Sequence, residues 1–165
     1  MQRKLIIDGY NLIYQFPELR KWMERDLEGA RQSLVSRLAD HAIRTKSAIT
    51  LVFDGDDRVQ DSFDSVPGVK VLFSRLPDTA DHLIKRIIDE IRDGSEWAVV
   101  SSDNEIVEYA RLHGIATAPS RSFAYGASEE PTRASEKKYK HSMSDEELEE
   151  WMEIFQSKND DDRNP

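Results

Sequence analysis

The sequence contains no cysteine, which excludes disulfide bonds, thiolate metal ligands and cysteine nucleophiles. It also lacks any apolar run of about 18 residues, so we expect no transmembrane helix and no membrane partner. The apolar stretch that follows Lys4 is too short for the core of a secretory signal peptide. The simplest expectation from these absences is a cytoplasmic protein.

Basic residues are outnumbered by acidic residues, 23 to 32, which gives a net charge of −9 and argues at first against a polyanionic partner. However, nine of the acidic residues and only two of the basic residues fall within residues 143–165. The remaining residues therefore carry a net charge of only −2, and a bound cation would offset part of it. This distribution permits binding to nucleic acid without predicting it.

Apolar strands alternate with amphipathic helices along the first 125 residues. Such alternation predicts crossover connections and a parallel sheet with helices on both faces, hence an α/β/α sandwich of three layers. Helices are predicted to begin after Asp26, at Thr79 and at Ser102, which has capping-box spacing to Glu105. Loops are predicted around Pro17 and after the last strand. The predicted strands cover residues 3–8, 48–54, 69–73, 97–101 and 115–118.

The C-terminal part differs in composition and is predicted to lie outside the sandwich, which takes up residues 1–125. Residues 126–142 are irregular and partly basic, and this stretch could follow an RNA backbone or act as a solvated linker. Residues 143–165 are predicted to form an acidic helix with a disordered tail. Trp151 and Phe155 give that helix an apolar side that would dock on the sandwich or on a partner.

Four aspartates fall where predicted strands end. Asp8 closes the first strand and Asp54 the second, Asp81 lies in the first turn of the helix after the third strand, and Asp103 follows the fourth. The carboxyl ends of parallel strands share one edge of the sheet, where ligands bind. Crowded carboxylates repel one another, so a cluster of four needs either a cation or a function. Oxygen donors without cysteine or a histidine pair favour Mg²⁺ or Mn²⁺, and thus metal-dependent phosphodiester hydrolysis.

Each candidate also has an ordinary structural interpretation. Asp-Gly pairs are common in turns, and acids in a first helical turn are stabilised by the helix dipole. Asn11 is equally well explained as a neutral ligand or phosphate contact and as a helix cap or turn residue. The helix N-termini at Thr79 and Ser102 offer backbone donors for a phosphate. The convergence of four acids at one edge, rather than any single residue, favours the functional interpretation.

Four segments together resemble the YacP-like group of NYN domains, within the PIN-like nuclease superfamily. The resemblance covers about residues 3–125 and implies the same three-layer sandwich around a parallel sheet. It also implies Mg²⁺- or Mn²⁺-dependent endoribonuclease chemistry, and it suggests a link to messenger RNA and the ribosome. The segments are Asp-Gly-Tyr-Asn at residues 8–11, Leu-Val-Phe-Asp at 51–54, Thr-Ala-Asp at 79–81 and Ser-Ser-Asp at 101–103.

The resemblance assigns to the family's acidic site Asp8, Asn11, Asp54, Asp81 and Asp103. The chain departs from the family before Thr-Ala-Asp, where Lys-Glu-Gly-Glu is frequent and residues 75–78 here read Arg-Leu-Pro-Asp. The acid at position 78, Asp78, is one methylene shorter than glutamate, which puts its contact with a metal in doubt. The arginine at position 75, Arg75, is a candidate phosphate contact or a solvated loop charge.

Other functions fit less well or remain as alternatives. A catalytically weak RNA-binding module on the same fold is the main alternative. A haloacid-dehalogenase-type phosphatase would need a second aspartate two residues after Asp8, and Tyr10 stands there. A dinucleotide-binding domain would need a glycine-rich turn that the sequence lacks. Tyr10 and Tyr14 could stack on bases, although packing against the sheet is favoured. The RNA target, the number of metal ions and the oligomeric state stay open.

Overall fold

The computed structural model describes residues 2–55 and 66–127 of the chain. All of the predicted acidic helix and nearly all of the partly basic segment before it lie outside the described residues. The β-strands and α-helices in the described ranges are, in chain order, β1 (Lys4–Asp8), α1 (Gly9–Ile13), α2 (Pro17–Arg25), α3 (Leu27–Thr45), β2 (Ala48–Phe53), β3 (Val69–Phe73), α4 (Ala80–Glu90), β4 (Trp97–Val100), α5 (Asn104–Leu112), β5 (Ala116–Ala118) and α6 (Ser120–Ala127), and a 3-10 helix covers Gly94–Glu96.

The strands form one sheet in the order β3-β2-β1-β4-β5, and every pair of neighbours is parallel. From β1 the chain builds outward through β2 to β3 and then returns to place β4 on the other side of β1. The strand order therefore reverses between β1 and β4. In sheets of this kind, the crevice beyond the carboxyl ends of those strands is where ligands bind.

Helices cover both faces of the sheet, which confirms the predicted three-layer sandwich. Alternate residues of β1 point to opposite faces, so Leu5 and Ile7 belong to one apolar cluster and Ile6 to the other. The first cluster includes residues of α1, α2, α3 and α6, and the second includes residues of α4 and α5. Among the described residues, no helix is long and apolar enough to cross a membrane.

Two predicted loops are helical. The stretch around Pro17 forms α1 and α2, with Pro17 as the first residue of α2, where its missing amide proton costs nothing. The stretch after β5 forms α6, in which Phe123 is 1% exposed and packs edge-on against the His41 ring. Both regions were predicted wrongly because short helices that bury a few residues each leave too little periodicity to recognise.

Candidate functional site

The glycines that follow Asp8 and Asp54 are required by close packing. A Cβ atom at Gly9 would overlap the ring of Phe53, and a Cβ atom at Gly55 would overlap the backbone oxygen of Ser74. Neither glycine has a positive φ angle. Because glycine has no side chain, the backbone after each strand can pass close to the neighbouring strand. Asp8 and Asp54 therefore lie at the same edge of the sheet.

Asp8 lies partly buried at the end of β1. The hydroxyl of Ser101, which follows β4, lies 3.5 Å from its Oδ2 atom. Burial, together with the nearby carboxylates of Asp54 and Asp103, raises the pKa of Asp8 to about 6, although the backbone N–H of Asn11 and the Ser101 hydroxyl act in the opposite direction. The pKa of Asp8 is therefore displaced toward neutral pH, first by burial and then by the neighbouring carboxylates.

Asp54 joins the end of β2 to the beginning of α4. Its Oδ1 atom accepts a hydrogen bond of 2.6 Å from the amide of Ala80 and lies 3.5 Å from the Ser74 hydroxyl. Thr79 caps the same helix, since its hydroxyl accepts from the amide of His82 at 3.3 Å. The predicted helix start at Thr79 is thus confirmed, but these amides already have acceptors and are not open to a phosphate.

Three carboxylates come together across the beginnings of α4 and α5. Asp81, Asp103 and Glu105 each place one oxygen atom within 4.8 Å of the others. Two of these residues were predicted as site residues from the sequence, whereas Glu105 was interpreted only as a capping residue. We call Asp81, Asp103 and Glu105 the carboxylate triad. Asp8 and Asp54 lie near this triad but do not belong to it.

The beginning of α5 differs from the predicted capping box. The N-cap is Asp103, whose Oδ1 atom accepts from the amide of Glu105 at 2.9 Å. Ser102 was predicted to cap this helix, but its hydroxyl accepts from the amide of Ser120 at 3.2 Å instead. The Glu105 side chain is consequently free of a capping role and turns toward Asp81 and Lys85.

The carboxylate triad has the chemistry of a hard-cation site. The Oδ1 atom of Asp81 is buried and has no hydrogen-bond partner among the described residues. A buried carboxylate oxygen is costly unless it is paired. Its Oδ2 atom is 3.1 Å from the ammonium of Lys85, which is also 3.6 Å from Glu105. An arrangement of oxygen donors with one unpartnered atom fits Mg²⁺ or Mn²⁺.

The side chain of Asn11 forms hydrogen bonds that connect three parts of the fold. Its Oδ1 atom accepts hydrogen bonds from the amide of Ser102 at 2.9 Å and from the hydroxyl of Ser120 at 2.6 Å. The side chain thereby links α1 to the segment after β4 and to the beginning of α6. Because the oxygen is already used twice, a phosphate would have to be contacted by the amide nitrogen of Asn11.

The remaining predicted site residues lie outside the carboxylate triad. Asp78 forms an ion pair of 3.2 Å with Arg86, and it is absent from the carboxylate triad. Arg75 and Thr79 are exposed on the segment between β3 and α4. Tyr10 packs against Phe53, with ring centroids 5.0 Å apart, which confirms that this aromatic residue serves packing.

Comparisons with known proteins agree with this architecture. The family model described as the YacP-like NYN domain matches residues 5–159, farther than the motifs themselves extend. The uncharacterized protein YacP of Bacillus subtilis is 28% identical over 105 residues, which cover 60% of this chain and 59% of that protein. The aligned part thus spans less than two thirds of this relative's length.

Crystal structures of Rae1 (YacP) from Bacillus subtilis are similar in fold. One, of a variant of that protein, has a TM-score of 0.62 and 23% sequence identity, and the match covers 81% of this chain and 89% of that chain. The other has a TM-score of 0.62 and 21% identity, with 86% and 79% covered. At this level of identity the likeness establishes the arrangement of strands and helices.

Proposed function

The chain belongs to the YacP-like NYN domain family, and on that basis we propose that it is an endoribonuclease that hydrolyses RNA phosphodiester bonds with bound Mg²⁺ or Mn²⁺. NYN domains are generally nucleases, and the chain has their PIN-like fold with a cluster of acidic residues. The observation that carries the proposal is the carboxylate triad with its unpartnered Asp81 oxygen, at the edge of the sheet where strand order reverses.

Asp81, Asp103 and Glu105 would hold the cation in this proposal. A bound divalent cation supplies Lewis acidity, which lowers the pKa of a water molecule and offsets charge on the phosphate. Asp8, which lies near Asp103 but does not belong to the carboxylate triad, would accept the proton of the attacking water. Asp54 would hold the beginning of α4, and hence Asp81, in place.

Contacts with the RNA backbone would come from residues around the triad. Arg75 offers an exposed guanidinium group, and Asn11 offers its amide nitrogen. Thr79 and Ser102 are exposed near the beginnings of α4 and α5. We also propose messenger RNA, including messenger RNA on the ribosome, as the substrate class. We propose the cytoplasm as the location of the protein.

One observation favours a second candidate, an RNA-binding module with weak or no catalysis. Lys85 already contributes a positive charge to Asp81 and Glu105. A site neutralised by its own chain has less need of a divalent cation. Such a module would bind RNA equally well in a chelator and would not cleave it.

Cleavage of a labelled single-stranded RNA tests the proposal. Wild type, Asp8→Asn and the control Asp40→Asn, which alters an exposed acid on α3, are each assayed with Mn²⁺, Mg²⁺ and EDTA. We expect metal-dependent cleavage by wild type and by the control, and its loss in Asp8→Asn. RNA binding in EDTA without cleavage in any metal would favour the binding module, and equal cleavage by all three proteins would remove Asp8 from the mechanism.

A further inference from the structure

A pocket of about 250 Å³ opens beside the acidic site, between α5 and the edge strand β5. Ser101 lines it, and the hydroxyl of the same residue accepts from the amide of Asp103 at 3.1 Å and lies 3.5 Å from Asp8. Ser101 therefore belongs both to the lining of the pocket and to the surroundings of the acidic residues.

The lining of the pocket combines an apolar side with hydrogen-bonding groups and one positive charge. Val107 and Pro119 contribute to the apolar side, and Asn104 and Thr117 provide polar side chains. Among the described residues that line it, Arg111 is the only charged one. In a chain with a net charge of −9, a pocket with a positive charge and no acidic residue in its described lining favours an anionic ligand.

Arg111 is placed to contact a phosphate near the acidic site. It lies in the last turn of α5, and side chains of a helix lean back toward its N-terminus, where Asn104 and Asp103 lie. The guanidinium group of arginine donates paired hydrogen bonds that match the oxygen atoms of a phosphate. No described acidic residue forms an ion pair with Arg111.

We propose that this pocket binds one nucleotide of the substrate strand next to the scissile phosphate, with Arg111 on the neighbouring phosphate. The proposal rests on the proposed function and adds the path of the RNA to it. The volume is below the roughly 300–1,000 Å³ of pockets for drug-sized ligands, so it suits a single nucleotide unit and not a duplex. The polar side chains of Asn104 and Thr117 would face the base edge or the 2′-hydroxyl group.

Binding of 5′-labelled hexauridylate, measured by fluorescence anisotropy in EDTA, tests the pocket without cleavage. We expect Arg111→Gln to raise Kd by about tenfold, as expected for loss of a charged hydrogen bond. The dependence of log K on log salt should become shallower by about 0.7, the value for one lost phosphate contact on a single strand. The control Arg44→Gln, on the exposed end of α3, should change neither quantity.

A second variant fills the pocket without removing the charge. Thr117→Phe places a bulky residue on an edge strand that tolerates aromatic side chains, and circular dichroism checks that each variant remains folded. We expect weaker hexauridylate binding and, with Mn²⁺, a higher KM with little change in kcat. Unchanged Kd and KM in both folded variants would overturn the proposal.

The outcomes separate this pocket from the proposed function. RNA binding that depends on Arg111, in a protein that never cleaves, would retain the pocket and remove the nuclease assignment. Cleavage by wild type with no effect of Arg111→Gln or Thr117→Phe would retain the nuclease and remove the pocket. Absence of both binding and cleavage in wild type would overturn both.

Discussion

The ammonium group of Lys85 lies 3.1 Å from the Oδ2 atom of Asp81, one helical turn away on α4, and 3.6 Å from Glu105 on α5. The hydrogen bond to Asp81 raises the pKa of Lys85, so the group stays charged near neutral pH. Two of the three carboxylates that would hold a cation are thus paired with a charge of the chain itself. A divalent cation bound there would compete with Lys85.

Replacing Lys85 should therefore strengthen metal binding while weakening the metal-free protein. In Lys85→Gln the carboxylates of Asp81 and Glu105 repel without compensation, which lowers the metal-free Tm. We expect the Kd for Mn²⁺ in calorimetry to fall by roughly threefold, because a partly buried ion pair of modest strength no longer competes. The control Lys21→Gln, exposed on α2, should leave the Kd unchanged. Weaker Mn²⁺ binding by Lys85→Gln would contradict this competition.

Glu105 is predicted to be a metal ligand although its sequence context indicates only a helix cap. At a Mn²⁺ concentration of about 100 times Kd, binding stabilises the protein by about 2.7 kcal/mol. That corresponds to a rise of roughly 6–10 °C in the Tm of the wild type. Glu105→Gln should reduce this rise strongly, whereas Glu108→Gln, exposed on the same helix, should keep it. An equal rise in both variants would place the ion elsewhere.

Asp8 should make the stability of the metal-free protein depend on pH. Its pKa is raised from 3.8 to about 6 in the folded protein, so the folded state binds more protons than the unfolded state between these values. Stability then falls as pH rises from about 4 to 6, and the full penalty, about 3 kcal/mol, persists above that range.

The comparison of wild type with Asp8→Asn in EDTA measures this penalty. The asparagine does not ionise, so the variant should match or exceed the wild type in Tm at pH 7, and the gap should narrow toward pH 4. A variant that is less stable than the wild type at pH 7 would show that Asp8 contributes favourable contacts instead of repulsion.

Asp54 is predicted to have separable structural and functional effects. Asp54→Ala removes the acceptor for the Ala80 amide at the beginning of α4, which costs about 1 kcal/mol, a Tm decrease of roughly 2–4 °C. Asp54→Asn keeps an acceptor oxygen and should change the Tm little. If both variants lose cleavage to the same extent, the negative charge of Asp54 contributes to the reaction; if only Asp54→Ala loses it, the capping contact is what matters.

The sequence alone determined the architecture and the edge of the sheet that bears the site. Apolar strands that alternate with amphipathic helices such as α3 and α4 predict a parallel sheet. In such a sheet the crossover connections bring the carboxyl ends of all strands to the same side. Asp8 and Asp54 lie at strand ends, and Asp81 and Asp103 lie where helices begin after strands, so the sequence predicts that all four lie at the same edge of the sheet. The local signals at Asp26 and Thr79 also predicted where helices begin.

Only the tertiary structure decided which side chains meet. Glu105 joins Asp81 because α4 and α5 begin side by side, and Asn11 contacts Ser120 across 109 positions of the chain. The pocket beneath Arg111 exists because β5 lies at the edge of the sheet. Spacing along the chain cannot encode such contacts, since they depend on the separation and rotation of elements that pack far apart in sequence.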